Sequence, residues 1–494
     1  MSDQTHTSHD TAQDPHRWLI LAVVGVAQLM VVLDATIVNI ALPSAQRDLG
    51  FSIDDRQWVV SSYAIAFGAL LLLGGRLGDL FGRRRLLVLG LIGFAGASAV
   101  GGAAGNFETL IAARIAQGVF GALLAPAALA TVATSFTNPA ERGKAFGIFS
   151  AIAGVGAGAG LLLGGVLTDL LSWRWCLYVN IVFALVAVVG TRVMKGDDSG
   201  VSRHRVLDLP GAVTATGGLF LLVFGVSRAE TSGWGSASTI AFLVAGAALL
   251  VVFALVERRS SHPLLPPRVV ADPARTGSYF AIAMLGVTIF GVFLFLTFYL
   301  QQNLDYSPLK SGLAFMPLNL TILAVSGVTA TQLLPKVGPR ILISAGLMFA
   351  AVAAVLLAQL DTSSGYVGGV LPALFAAGIG AGFLFPTTFA AGTAGVDRHD
   401  AGVASAMVNT AQQVGGSVGI AFLSTIFADS LKDTFAENPR TNPAGAAIDG
   451  YTTVFWWAAA ISAAAAVIAF VLVRNSPAAD GSSDAEPASP AAMH

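Results

Sequence analysis

The sequence predicts an all-α integral membrane protein, and three observations carry that prediction. Hydrophobic residues make up 55% of the 494-residue chain and charged residues only 11%, whereas soluble proteins carry about 25% charged residues. The mean hydropathy is +0.74. The apolar residues also fall into runs of about 20, the length that an α-helix needs to cross a bilayer. A water-soluble protein is therefore excluded.

Fourteen apolar runs have this length. Because the number is even, both termini are expected on the same side of the membrane. The predicted spans are 18–42, 57–75, 86–104, 109–136, 145–168, 175–194, 209–228, 238–257, 277–301, 311–334, 340–359, 366–395, 401–428 and 451–473.

The basic residues predict which side that is. Of the 27 Lys and Arg residues, 19 lie in loops or at span ends on one side of the predicted membrane, 7 lie in such positions on the other side, and Arg114 lies well inside a span. Cytoplasmic loops carry the excess of Lys and Arg. We therefore expect a multi-pass protein of the cell membrane with both termini in the cytoplasm, and the polar tails 1–17 and 475–494 are expected to be disordered.

A short cationic turn joins the second and third spans. It runs from Gly74 to Arg85 and holds four arginines, four glycines and one carboxylate, Asp79. The arginines place it at the cytoplasmic face, and the glycines allow two helices to approach closely. The turn resembles the signature loop between helices 2 and 3 of the major facilitator superfamily. The resemblance implies a conformational gate formed by Gly75, Gly78, Asp79, Gly82, Arg83 and Arg84.

Two charges lie well inside predicted spans, away from the span ends: Asp34 in the first span and Arg114 in the fourth. At 1.5 Å per residue, Asp34 lies about 13 Å and Arg114 about 9 Å below the outer surface, so the two side chains can meet. A carboxylate costs about 2.5–3.5 kcal/mol inside a membrane and therefore faces a cavity or a partner. One interpretation is a site that binds and releases a proton, and the other is a fixed structural ion pair.

Further segments strengthen the resemblance. Leu33 to Pro43 resembles the first-helix motif of the 14-helix drug:proton antiporter branch, and Arg114 with Gln117 and Gly118 matches the fourth-helix motif, whose arginine is associated with proton coupling. The remaining matches are Asp208 to Gly211, Tyr299 to Gln302, Tyr306 to Pro308 and Gly402 to Gly419.

Membership of this family implies a fold and a domain division. Two six-helix bundles, at 18–194 and 276–474, would surround a central cavity, with two additional helices within 195–275. The fifth-helix antiporter motif is implied at Gly156, Gly160, Gly164 and Gly165, although Leu161 stands where a proline is usual. Candidate substrate-cavity residues near the midplane are Gln28, Asn39, Phe295, Tyr299, Gln301, Asn409 and Gln413.

Other function classes find little support in the sequence. No glycine-rich loop is followed by the lysine of a Walker motif, so the sequence does not predict that this chain drives transport with ATP. The histidines do not have the spacing of metal ligands. We therefore expect no cofactor and no metal. The near-neutral net charge of -1 gives no indication of a nucleic-acid partner, and the single cysteine, Cys176, excludes an intramolecular disulfide.

The sequence thus predicts a monomeric proton-driven exporter of an amphipathic small molecule, such as an antibiotic or a toxic metabolite, with protons and lipid as its other partners. An exporter of a specific endogenous metabolite or lipid is the first alternative. An integral-membrane enzyme is a remote one, because the acids at the membrane faces are scattered in short loops.

Overall fold

The computed structural model describes residues 15–52, 55–136, 139–194, 208–260, 263–396, 401–437 and 442–473. The predicted disordered tails lie mainly outside these residues, as does the linker 195–207. Among the described residues, the regular structure is helical, and no strand occurs. The all-α prediction is therefore confirmed.

Six helices form the N-terminal bundle. They are α1 (Arg17–Leu49), α2 (Arg56–Phe81), α3 (Arg83–Gly102), α4 (Phe107–Ser135), α5 (Pro139–Leu170) and α6 (Trp175–Gly190). A hairpin of two further helices follows, α7 (Leu209–Ser232) and α8 (Ala237–Arg259).

The C-terminal bundle also has six helices, three of which contain short π-helical segments. They are α9 (Pro273–Asn303), α10 (Pro308–Val337), α11 (Pro339–Leu357), α12 (Tyr366–Thr393), α13 (Ala401–Glu437) and α14 (Pro443–Leu472). The π-helical segments are Tyr299–Asn303, Thr329–Leu333 and Tyr366–Val370.

Each predicted span coincides with one of these helices. Within the described residues, twelve helices are long and apolar enough to cross a membrane. The other two predicted spans, 57–75 and 145–168, fall on α2 and α5, which are 26 and 32 residues long. The architecture is thus consistent with the predicted count of fourteen.

Glycines allow the helices to pack at backbone distance. A Cβ atom added at Gly74 would lie 2.0 Å from the carbonyl oxygen of Ala122, so α2 and α4 touch through their main chains. In the C-terminal bundle, a Cβ at Gly415 would lie 2.0 Å from the carbonyl oxygen of Ala283, which joins α13 to α9 in the same way. Small residues favour such close contacts inside membranes, where the hydrophobic effect does not drive helix association.

Two helices from different bundles touch through their backbones at the end of the molecule opposite to the arginine-rich turn. On α5, a Cβ at Gly165 would lie 2.7 Å from the Cα of Leu309, and on α10 a Cβ at Gly312 would lie 2.5 Å from the carbonyl oxygen of Leu161. Each glycine therefore receives the backbone of the facing helix. We call this reciprocal contact between α5 and α10 the glycine seam.

Polar contacts close the same end. The side-chain amide of Gln301 on α9 donates to the carbonyl oxygen of Ile40 on α1 at 3.1 Å. The Arg56 guanidinium lies 4.0 Å from the centre of the Phe298 ring. Both contacts join one bundle to the other, so this end of the molecule is closed between the bundles.

Candidate functional site

Asp34 and Arg114 meet in the interior of the N-terminal bundle. Arg114 Nη1 donates to Asp34 Oδ2 at 2.6 Å. The Asp34 side chain is 0% exposed and that of Arg114 is 1% exposed. The structure thus brings together the two intramembrane charges that the sequence singled out. Burial removes most of the solvent screening, so each charge depends on the other for its stability.

Neutral side chains surround this pair and complete its hydrogen bonds. Asp34 Oδ1 accepts from Gln117 Nε2 at 2.8 Å and from Asn180 Nδ2 at 2.7 Å. Both amides also donate to Ser98 Oγ, at 2.8 and 3.3 Å respectively. Helices α1, α3, α4 and α6 each contribute to this cluster, which we call the Asp34 network.

Arg114 has further partners on its own side of the pair. Its Nε donates to the carbonyl oxygen of Val59 on α2 at 3.0 Å, and Nη1 also donates to Gln117 Oε1 at 2.8 Å. The guanidinium carbon lies 4.5 Å from the centre of the Tyr63 ring. Nη2 is buried and makes no hydrogen bond to a described residue. One donor of the arginine is therefore left for a different partner.

Sequence reasoning did not assign roles to Ser98, Asn180 and Tyr63. Asn180 could have been found, because it is an asparagine deep inside an otherwise apolar span and is fully buried. Gln117 was part of the fourth-helix motif, and it lies one helical turn after Arg114, on the same face of α4. Ser98 and Tyr63 carry no distinguishing pattern in the sequence.

Three of the four predicted antiporter glycines lie against the segment of α1 that carries Asp34. Added Cβ atoms would lie 3.0 Å from Leu29 Cδ1 at Gly156, 2.0 Å from Thr36 Oγ1 at Gly160, and 2.9 Å from the carbonyl oxygen of Ile37 at Gly164.

The fourth antiporter glycine, Gly165, belongs to the glycine seam instead. Leu161, which replaces the usual proline, is fully buried, and α5 continues through it without a break. The motif therefore places one face of α5 on α1 and another on the C-terminal bundle.

The predicted gate residues lie where α2 ends and α3 begins. Gly82 has a φ of 91°, which L side chains rarely adopt and which turns the chain between the two helices. Arg83 donates to Thr134 Oγ1 at 2.9 Å, and Arg84 donates to the carbonyl oxygen of Thr191 at 3.1 Å. Both arginines thus bind within the N-terminal bundle. Gly75 and Gly78 lie on α2, and the side chain of Asp79 lies outside the described part of the structure.

The predicted cavity residues occupy two kinds of position. Phe295 and Tyr299 are 4% and 1% exposed and pack among aromatic rings of the C-terminal bundle, and the Tyr299 hydroxyl donates to the carbonyl oxygen of Ser364 at 2.9 Å. Gln301 is the residue whose side-chain amide donates to the carbonyl oxygen of Ile40 in the other bundle. Asn39 is buried, with its Oδ1 unpartnered among the described residues and its Nδ2 donating to the Ala35 carbonyl oxygen on the same helix at 3.3 Å.

The other three predicted cavity residues, Gln28, Asn409 and Gln413, are partly exposed. Gln28 lies on α1 and the other two lie on α13. Gln413 lies where α13 faces Gly68 of α2, and its Oε1 is buried.

Comparisons with known proteins identify the family. The family model described as the Major Facilitator Superfamily matches residues 24–420. The chain is 49% identical to a puromycin resistance protein of Streptomyces alboniger, over 97% of this chain and 96% of that one. It is 40% identical to a cephamycin export protein of Amycolatopsis lactamdurans, over 83% and 85% of the two chains.

Solved structures agree on the fold. A peptide transporter in complex with sulfate superposes with a TM-score of 0.65 at 17% identity, over 92% of this chain and 94% of that one. The human organic anion transporter MFSD10 superposes with a TM-score of 0.61 at 18% identity, over 93% and 100% of the two chains. The superfamily predicted from the sequence is confirmed, and the chain belongs to the major facilitator superfamily.

Proposed function

We propose that the protein exports an amphipathic small molecule of the antibiotic type across the cell membrane, in exchange for protons, by alternating access. The relatives named above confer puromycin resistance and export cephamycin, and a third is a lincomycin resistance protein. The excess of basic residues on one side supports cytoplasmic termini. The protein would act as a monomer in the lipid bilayer.

The observation that carries this proposal is the Asp34 network. It holds one carboxylate and one guanidinium away from water and surrounds them with neutral donors. A guanidinium in contact with a buried carboxylate stabilises its charge, and a buried charge that is left without such a partner is strongly destabilising. A conformational change that separates the two side chains would therefore load a proton onto Asp34, and their return would release it.

The packing of α5 supplies a route by which bundle motion can reach this site. Gly160 and Gly164 hold α1 on one side of α5, and Gly165 holds the C-terminal bundle on the other. When the bundles rock apart at the glycine seam, α5 and α1 shift together relative to α4, which carries Arg114. Coupling energy of this kind travels through contiguous packed elements.

The lining available to a substrate is neutral. Gln28, Asn409 and Gln413 present amide groups, and the bundles contribute mainly apolar side chains. Such a surface suits weakly cationic or neutral organic compounds better than sugars or inorganic ions. Phe295 and Tyr299 would join this lining only when the bundles separate at the end that is closed here.

The gate residues complete the cycle. In this proposal Asp79 interacts with the N-terminus of α13, which starts at Ala401, when the cytoplasmic side closes. A carboxylate near a helix N-terminus stabilises it by about 0.3–2 kcal/mol. That is enough to shift an equilibrium between two conformations several-fold.

Two measurements test the function. In a host without its own efflux pumps, the chain should raise resistance to puromycin, to a cephamycin or to lincomycin, and Asp34→Asn should abolish that gain at equal expression. In proteoliposomes, adding the exported compound should release protons from the wild-type protein and none from Asp34→Asn. An Asp34→Asn protein that still exchanges protons for substrate at the wild-type rate would refute the coupling role of Asp34.

A further inference from the structure

One face of α2 is directed at the C-terminal bundle. A Cβ atom added at Gly68 would lie 3.4 Å from Gln413 Cβ and 3.6 Å from Val414 Cγ2 on α13. Gln57 and Ser61 precede Gly68 by eleven and seven residues, about three turns and two turns of an α-helix, so the three residues share this face. Gln57 is 2% exposed and Ser61 is 0% exposed. Both polar side chains are therefore enclosed on the side of α2 that faces the other bundle.

Neither side chain has a hydrogen-bond partner in the part of the chain that the structure describes. The unpaired atoms are Gln57 Nε2, Gln57 Oε1 and Ser61 Oγ, and Gln413 Oε1 on the facing helix is also unpaired. A buried polar group without a hydrogen bond costs free energy, and buried polar groups in proteins nearly always have a partner. Leucine would fill a similar volume at position 57 without that cost, so packing alone does not account for an amide here.

The next face of α2 is directed at the additional hairpin instead. The Trp58 ring lies 6.0 Å from the Phe224 ring of α7, between centroids. Ser62 follows Trp58 by one turn and shares this face. Ser62 is 5% exposed, and its Oγ is likewise unpaired among the described residues. Ser61 and Ser62 are thus neighbouring buried hydroxyl groups that face different parts of the molecule.

Gln57 lies at the end of the molecule that is closed between the bundles. Its neighbour in the chain, Arg56, contacts the Phe298 ring of the C-terminal bundle at this end. Alternating access works by rocking one bundle against the other, so this end must open during the cycle. When the bundles separate here, Gln57 and Ser61 form part of the wall of the space between them. Their unpaired groups can then bind a solute.

We propose, on the basis of the export function proposed above, that Gln57 and Ser61 form a hydrogen-bonding subsite for the exported compound and that this subsite takes an amide group. An amide of a ligand needs a donor for its carbonyl oxygen and an acceptor for its N–H. The side chain of Gln57 supplies both, and the hydroxyl group of Ser61, one turn further along α2, supplies either.

Thermal unfolding of the purified protein without any added compound tests whether the amide is unpaired. Gln57→Leu should unfold at the wild-type temperature or at a higher one, because it replaces an unpaired buried amide with an apolar side chain of similar size. A lower unfolding temperature would show that Gln57 has a partner within the protein, and would overturn the proposal.

Binding measurements on the purified protein test the subsite itself. The probe is whichever of puromycin, a cephamycin and lincomycin the wild-type protein is found to export, since each of these compounds carries an amide group. Gln57→Leu and Ser61→Ala should each raise the Kd in isothermal titration calorimetry about 2- to 13-fold, the effect of one hydrogen bond. Ser62→Ala removes an equally buried hydroxyl group from the neighbouring face and should leave the Kd unchanged.

An analogue of the probe with a methyl group on its amide nitrogen tests the chemical class, because methylation removes the donor. Methylation should weaken binding to the wild type and to Ser62→Ala, and should weaken binding to Gln57→Leu less. An equal loss in all three proteins would show that the amide binds elsewhere. An unchanged Kd in both Gln57→Leu and Ser61→Ala would refute the subsite and leave the export function intact, whereas a wild-type protein that exports none of the three compounds would refute both.

Discussion

Gly160 is the position at which the packing beside Asp34 is tightest, and Gly160→Ala should displace α1 from α5. The new methyl group would lie 2.0 Å from Thr36 Oγ1 and 3.0 Å from the carbonyl oxygen of Leu33. The threonine side chain can rotate, but the Leu33 carbonyl belongs to the helix backbone directly before Asp34. Helix α1 must therefore shift away from α5, or its backbone near Leu33 must adopt a strained geometry.

The expected cost follows from these distances. Overpacking by one methyl group in a tight interior costs about 1–3 kcal/mol, which corresponds to a change of about 5- to 140-fold in an equilibrium constant. Gly156→Ala is the matched control on the same face of α5. Its methyl group would lie 3.0 Å from Leu29 Cδ1, the tip of a flexible side chain, so it should cost less than Gly160→Ala.

Thermal unfolding in detergent, followed by size-exclusion chromatography, measures the stability, and resistance to a compound that the wild-type protein is found to export measures function. We expect Gly160→Ala to lower both and Gly156→Ala to lower neither by a comparable amount. Adding Thr36→Ala to Gly160→Ala removes the shortest contact and should recover part of the loss. The packing argument fails if the two alanine variants are equally stable, or if Thr36→Ala brings no recovery.

Three further predictions concern the site and the two ends of the molecule. Asn180→Ala removes one of the two amide donors to Asp34 Oδ1, and a hydrogen bond to a charged group is worth about 1.5–3 kcal/mol. The variant should therefore release protons more slowly than the wild type when substrate is added to proteoliposomes. An unchanged rate of proton release would exclude Asn180 from the site. Gln301→Ala removes the bond to the Ile40 carbonyl, worth about 0.5–1.5 kcal/mol, and should increase thiol labelling of a cysteine placed at Ile40 from outside the cell. Asp79→Asn should favour the inward-open state and slow export, and equal labelling of cysteines near residue 402 in the variant and the wild type would contradict this.

Much of the fold could be predicted because the bilayer imposes simple rules. Each spanning helix needs a long apolar run, and each of the fourteen runs coincides with a helix. The residues at which the helices begin and end were less predictable. Helix α1 begins at Arg17, one residue before the predicted span, and continues past the predicted end and past Pro43 to Leu49, because the proline removes one hydrogen bond without preventing the helix from resuming. Apolar-run length alone does not show how far a helix projects beyond the membrane.

The meeting of Asp34 with Arg114 could be predicted from depth alone, since both are charges in spans and each needs a partner. The neutral members of the Asp34 network could not. Ser98 and Asn180 lie on α3 and α6, and only the packing of these helices brings them to Asp34. By contrast, Thr36 and Asn39 lie on the same helix as Asp34, and their side chains donate to carbonyl oxygens of that helix.

Gly164 and Gly165 are adjacent in the chain and yet face different bodies, one packing on Ile37 of α1 and the other on Leu309 of α10. The contact at Gly165 is made by backbone atoms of Pro308 and Leu309, and the contact at Gly164 by the carbonyl oxygen and the Cγ1 atom of Ile37, so the inter-bundle surface and the helix that carries Asp34 both pack directly on α5. In the exchange mechanism proposed above, a displacement at that surface would be transmitted through α5 to the segment of α1 that carries Asp34. The same packing restricts which residues positions 164 and 165 can hold, because alanine at either position inserts a methyl group into a contact with the backbone of the facing helix. Homologues that retain proton exchange should therefore differ in the residues that line the substrate cavity and should keep Gly164 and Gly165.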